Sequence, residues 1–199
     1  MRILLVFCHP ATDSFLHTIL EELVPRLRTD GHTVRTIDLY GEGFDPVLDA
    51  AGWRAHRRNE PYDSGLSKHI DALRETDALI LIYPSWWYGP PAMLKGWIDR
   101  VCRPGVAFTV ENGRFRTRYL KGLKRFAVIT TYGSPGWFIE RIVGDPGRRQ
   151  MMRGLALQFA RGVRTCWRPI YGADTRSRED LALARGKTIA RVARLFASR

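Results

Sequence analysis

Cysteine is scarce in this chain, with only Cys8, Cys102 and Cys166 in 199 residues. The number is odd, the spacing wide, and no pair has metal-ligand or redox-motif separation. That excludes a disulfide framework and a zinc site, and it predicts reduced thiols in a cytoplasmic protein. Long apolar runs are missing as well. The stretch from Met1 to Phe7 stops at His9-Pro10, too soon for the apolar region of a signal peptide and its small-residue cleavage site. Nothing else approaches the roughly 20 residues that cross a bilayer, so no membrane insertion is expected. Neither a Gly-x-Gly-x-x-Gly pattern nor a Walker sequence follows the first apolar run, which disfavours a dinucleotide fingerprint and a P-loop. No repeat, low-complexity tract or linker interrupts the chain, so residues 1–199 are expected to form one domain.

Acidic residues are also in deficit. Asp and Glu number 20 against 32 Lys and Arg, giving a net charge of +12 and a pI near 10.3. Basic residues cluster at Arg114, Arg116, Arg118, Lys121, Lys124 and Arg125, and again at Arg148, Arg149 and Arg153. No nucleic-acid module frames them and no aromatics are interleaved as stacking platforms, so nucleic-acid binding is not expected. Two readings remain: a solvated basic surface, or attraction of a phosphate-bearing small molecule.

What is present is alternation. Short apolar runs at Arg2–Cys8, Thr33–Leu39, Ala78–Tyr83, Arg125–Thr131 and Val163–Ile170 are separated by amphipathic stretches, the pattern of parallel strands joined by crossover helices. Ala78–Tyr83 is apolar throughout, as a central strand covered on both faces must be. Helices are predicted from near Ser14, with a kink or early end at Pro25, and then over Gly65–Glu75, Ala92–Val101, Arg149–Ala160 and Ser177–Ala197. Ser177 and Asp180 stand close to capping-box spacing. Leu39–Tyr62 is a long Gly/Pro-punctuated stretch, and Gly105–Gly122 a hairpin-like excursion. The fold class is therefore α/β: a three-layer, doubly wound domain on a five-stranded parallel sheet, of the flavodoxin or Rossmann kind.

In such sheets ligands lie beyond the carboxyl ends of the strands. The first such loop offers Thr12 and Ser14 hydroxyls and the free N–H groups of a helix start, a ready anion site to which His9 adds a donor. The same residues would serve equally as an ordinary helix cap. The loop after the third strand places Trp86, Trp87 and Tyr88 in a Pro/Gly-rich segment. Rings there are costly to leave in water unless something covers them, either a flat aromatic cofactor or the protein's own core.

The motifs of these loops carry a family resemblance. Pro84-Ser85-Trp86-Trp87-Tyr88 followed by Pro91-Ala92-Met93-Leu94-Lys95-Gly96-Trp97 resembles the signature of the DT-diaphorase-like NAD(P)H:quinone oxidoreductases. His9-Pro10 with Ser14-Phe15 is similar to that family's phosphate loop, and Ile129-Thr130-Thr131-Tyr132-Gly133 to its flavin loop. The resemblance covers roughly Met1 to Ile170. It implies a flavodoxin-like fold, a bound flavin (FAD, or FMN in some members) and NAD(P)H as co-substrate. It further implies a quinone-like acceptor reduced by ping-pong hydride transfer, and a homodimer whose sites are each completed by the partner.

Carried over residue by residue, His9, Thr12, Ser14, Phe15 and Leu16 would meet the phosphates. Pro84, Ser85, Trp86, Trp87 and Tyr88 would line one side of the isoalloxazine, and Thr130, Thr131, Tyr132 and Gly133 its polar edge. Phe108 and Val110 stand where the family has pocket tyrosines, so the pocket should be less polar. Trp137 or Phe138 stands near a Tyr of the family, and Val143 near its His, so a proton relay through those positions cannot operate. Backbone donors at Thr131 to Gly133, with Arg141, would take over charge stabilisation. Two alternatives share the scaffold: an ancillary flavoprotein subunit of a potassium-efflux system, and an azo- or nitro-reductase.

Overall fold

A computed structural model of the chain describes residues 1–58, 60, 65–111, 114–116 and 120–197. Its central sheet is formed by β1 (Arg2–Phe7), β2 (Thr33–Asp38), β3 (Ala78–Pro84), β6 (Arg125–Thr131) and β7 (Arg164–Ile170). They lie in the order β2-β1-β3-β6-β7, and every pairing is parallel. β4 (Thr109–Glu111) and β5 (Arg114–Arg116) pair antiparallel as a separate hairpin, within the predicted excursion.

Side-chain alternation along the strands feeds two cores. Ile3, Leu5 and Phe7 of β1, with Ile80 and Ile82 of β3, pack under α1 (Phe15–Thr29) and α6 (Arg178–Phe196). Leu4 and Val6, with Leu79, Leu81 and Tyr83, pack on the other face with α3 (Ser67–Arg74) and α4 (Ala92–Val101). All seven residues of β3 are buried, as expected of a strand covered on both sides. This three-layer arrangement is the predicted one.

Several elements depart from expectation. α1 runs through Pro25 to Thr29. Pro25 and Glu21 both lie on the exposed side, so the Glu21 carbonyl that loses its helical donor faces water. The long stretch after Leu39 contains a further helix, α2 (Ala50–Arg58). The segment predicted as one helix over Arg149–Ala160 is composite: α5 (Pro146–Arg149), a π-helical run Gln150–Gly154, then a 3-10 run Leu155–Gln158. A second π-helical run, Phe138–Val143, ends at Gly144 with φ 78°. There the Asp145 N–H reaches back to the Ile139 carbonyl, a glycine-terminated helix end. At α6 the Asp180 N–H donates to Ser177 Oγ at 3.1 Å, the cap the spacing predicts. Pro169 is tolerated in β7 because that strand is an edge. The Arg164 N–H donates inward to the Lys124 carbonyl, so alternation puts the nitrogen of residue 169 on the outer side.

Candidate functional site

The strand order reverses between β1 and β3, so the loops following these strands flank a topological switch point. Ser14 caps α1: its Oγ accepts from the His17 N–H at 3.2 Å. The N–H groups of Phe15 and Leu16, one turn into the positive end of the helix, have no acceptor among the described residues. Leu16 buries its side chain, leaving only its backbone to the loop. His9 Nδ1 lies 3.0 Å from the Ala11 backbone nitrogen and 3.1 Å from the Ala11 carbonyl oxygen, which fixes the ring against its own loop. Thr12 is exposed. Just beneath, burial pushes the Cys8 thiol up to about 12, so it is not a nucleophile at neutral pH.

After β3, the chain turns back at once. The Trp86 and Gly89 backbones exchange two hydrogen bonds of 3.0 and 3.1 Å around a two-residue turn. Its central residues, Trp87 and Tyr88, have φ of 49° and 64°. Asn-Gly normally occupies such a turn, because a side chain at positive φ is strained. The strain holds Trp87 outward, 95% exposed, with Trp86 half-exposed beside it. Pro84 is buried as the last residue of β3, and the Ser85 N–H donates to the Thr131 carbonyl at 2.8 Å, tying this loop to the next.

After β6, the Tyr132 N–H donates to the Ile170 carbonyl and its phenol turns inward, donating to Asp145 Oδ1 at 3.0 Å. Burial first, then the neighbouring Asp145, raises the Tyr132 phenol above its usual range. Asp145, itself at φ 45°, also accepts from the Arg148 N–H and starts α5. The next helical residue but one, Gly147, fits directly under the aromatic turn. A Cβ there would stand 2.8 Å from the Tyr88 carbonyl oxygen and 3.1 Å from Tyr132 Oη. Thr130 is fully buried. Thr131 is half-buried and Gly133 exposed, so the open donors of this loop lie at Gly133 and Ser134. A Cβ at Gly133 would stand 2.5 Å from Asp174 Oδ2.

The structure thus gathers the loops bearing His9 to Leu16, Pro84 to Tyr88 and Thr130 to Gly133 at one end of the sheet. Trp137 is exposed and packs edge-on to Phe138, whose ring lies 6.4 Å from that of Tyr88. Phe108 instead lines a groove of about 430 Å3 with Leu48, His56, Ile98, Met151 and Leu155. Val110 is in β4, and its side chain lies outside the described residues. Sequence reasoning missed Asp145 and Tyr171. The Tyr171 hydroxyl donates to Glu140 Oε1 at 3.0 Å, and its ring lies 5.4 Å from that of Tyr132. Burial, then that bond to Glu140, raises its phenol above the usual range. Tyr171 directly follows β7, so the rule that marked the other strand ends marks it too.

Known proteins share this fold. A protein named Uncharacterized NAD(P)H oxidoreductase YcaK, from Escherichia coli, is 36% identical over 110 residues, 54% of this chain and 55% of that one. NAD(P)H dehydrogenase [quinone] 1 of Cavia porcellus is 32% identical over 165 residues, 72% of this chain and 58% of that one. The chain therefore spans a little more than half the length of these curated relatives. The crystal structure of Smu.1420 from Streptococcus mutans superimposes with a TM-score of 0.80 at 30% identity, covering 98% of this chain and 99% of the other. Residues 1–154, which include all three loops, match the family described as Flavodoxin-like fold, and the chain belongs to that family.

Proposed function

We propose that this protein is a flavin-dependent NAD(P)H oxidoreductase that reduces quinones or similar two-electron acceptors, in the cytoplasm and as a homodimer. One observation carries the reading: an indole held 95% exposed on a strained turn, beside a strand order that reverses and a helix start with unengaged N–H groups. Exposed rings at backbone cost need a flat partner, and free helix N–H groups need an anion. FAD or FMN offers both in one molecule, so the residues present fit a flavin.

Bound there, a flavin supplies the hydride chemistry, and the protein supplies binding, orientation and electrostatics. The α1 start, with Ser14, Thr12 and the His9 ring, holds phosphate. Trp86, Trp87 and Tyr88 cover the ring system from water. The Gly133 and Ser134 N–H groups serve its polar edge, where fixed dipoles stabilise negative charge without reorganising. Thr130 and Tyr132 bury their side chains, so on this reading the loop donates through these N–H groups and not through those side chains. Trp137 and Phe138 border the acceptor side, and the Phe108 groove is the apolar surface a second protomer would use.

The test is direct. Purified protein is denatured, the released flavin identified, and reduction of a soluble quinone followed with NADH and with NADPH. Yellow protein and quinone-dependent oxidation of either nucleotide are expected. Trp87→Ala should weaken flavin retention by about 1–3 kcal/mol, by analogy with base–aromatic stacking. Colourless protein that neither FAD nor FMN reconstitutes would sink the reading, and a fully active monomer at micromolar concentration would remove the dimer from it.

A further inference from the structure

A second concave surface takes no part in the site above. Between the outer edge of β7 and the C-terminal part of α6 runs a groove of about 580 Å3, lined by Arg164, Cys166, Trp167, Arg168, Arg191 and Arg194 among its residues. No Asp or Glu lines it. Among the described residues, none of these four guanidiniums has a carboxylate within ion-pair distance. The fold treats other arginines differently: Arg2 pairs with Asp77, Arg26 with Asp30, Arg100 with Asp45 and Arg185 with Glu22.

Further donors lie along the same strand. Arg168 Nε is buried without an acceptor, on the face of β7 that also carries Arg164 and Cys166. Because the Arg164 N–H points inward to β6, alternation turns the Thr165 and Trp167 N–H groups to the open edge. The charges act on what lies between them. Cys166 is held above the ordinary thiol range by burial, and Arg168 and Arg191 both pull against that shift. Like charges held on two rigid elements repel one another, and an anionic partner between them removes that repulsion.

We propose that this groove binds an oligophosphate, the linear run of phosphates shared by nucleoside triphosphates and inorganic polyphosphate. Guanidinium forks match phosphate oxygens two at a time, and four of them can serve adjacent phosphates. The volume is that of a small-molecule site. The charges face each other across a groove instead of running along an exposed stripe, which favours a compact ligand over a nucleic-acid duplex. The position also separates this site from the first. Arg164 is in register with Arg125 at the amino ends of the strands, whereas the flavin loops follow the carboxyl ends.

The experiment is calorimetric titration of the purified full-length protein with inorganic tripolyphosphate and, separately, with ATP at physiological salt. One saturable site per chain is expected, weakened at least tenfold in the double variant Arg168→Gln with Arg191→Gln. Circular dichroism checks the fold of that variant. If it does not fold, the more exposed pair Arg164→Gln with Arg194→Gln must show the loss. Binding of both probes assigns the phosphate run alone, and binding of ATP only assigns a nucleoside triphosphate. Three results overturn the proposal: no saturable binding of either probe; an equal loss in Arg153→Gln with Arg161→Gln, exposed arginines elsewhere; or binding of a 20-base-pair duplex by a protein that takes neither small probe.

Discussion

The Tyr132 phenol is enclosed by the protein, and its hydroxyl is one of two donors, with the Arg148 N–H, that hold Asp145 Oδ1. Removing that hydroxyl leaves a buried carboxylate oxygen short of a donor while the ring still fills its space. Tyr132→Phe should therefore cost about 1–3 kcal/mol, the range for leaving a buried polar group without its partner, measured by urea unfolding of the flavin-free protein. A change within a few tenths of a kcal/mol would mean that Asp145 is satisfied without it. The position of Tyr132 in the third loop was legible in the sequence, because Thr130-Thr131-Tyr132-Gly133 ends a strand. Its direction was not. Nothing in the sequence says that a side chain beside a ligand loop turns inward to a carboxylate thirteen residues away, across a π-helical run. Leu16 is the opposite case: a leucine on the apolar stripe of α1 had to be buried, and it is.

Among elements, β1, β3 and β6 were legible because each is a short apolar run whose alternation serves two cores, whereas the edge strands β2 and β7 carry polar residues on their open sides. The helices were legible only where one apolar stripe persists. Residues 149–160 have such a stripe, yet the backbone changes its helical pitch on either side of Met151. The aromatic turn and α5 form one mechanical unit through Gly147, since a methyl group there would press on the Tyr88 carbonyl and on Tyr132 Oη. Gly147→Ala should destabilise the protein by about 1–3 kcal/mol, as overpacking does, and should lower flavin retention because the displaced element carries Trp87. Gly154→Ala is the control: nothing lies within 4 Å of its added Cβ, so it should be neutral or gain up to about 1 kcal/mol. Thermal melts and flavin titration of both variants check the pair. Equal behaviour would show that the Gly147 contact does not position the turn.

At the scale of the whole molecule, the parallel sheet and its loops at one end follow from the order of apolar runs, while the distribution of charge does not. Three histidines scattered over the fold, His32, His56 and His69, are all held below the ordinary value of 6.5, in each case mainly by burial. For His69 the geometry adds a reason. Its Nδ1 accepts the Trp97 indole N–H at 3.3 Å, so a proton placed there would oppose a donor, and Glu42, 3.7 Å from Nε2, only partly compensates. Below 6.5 the unfolded chain binds these protons and the folded chain does not, so stability rises with pH through that window and levels off above it. Acidification also adds charge to a molecule that already carries +12, which acts in the same direction. The salt-bridged Asp77 does not interfere. Although burial raises its carboxyl, hydrogen bonds from Arg2 outweigh that and hold it below 3.8, so its contribution is lost only in stronger acid. Urea unfolding at pH 5.0, 6.5, 7.0 and 8.0 should give a free energy that falls between 6.5 and 5.0 and is flat between 7 and 8. His69→Gln keeps an acceptor for Trp97 but cannot titrate, so it should reduce the slope between 5.0 and 6.5 by one histidine's share. A wild-type curve that is level from 5 to 7, or a slope that the variant leaves unchanged, would show that His69 is protonated in the folded protein and that its bond to Trp97 yields to the proton.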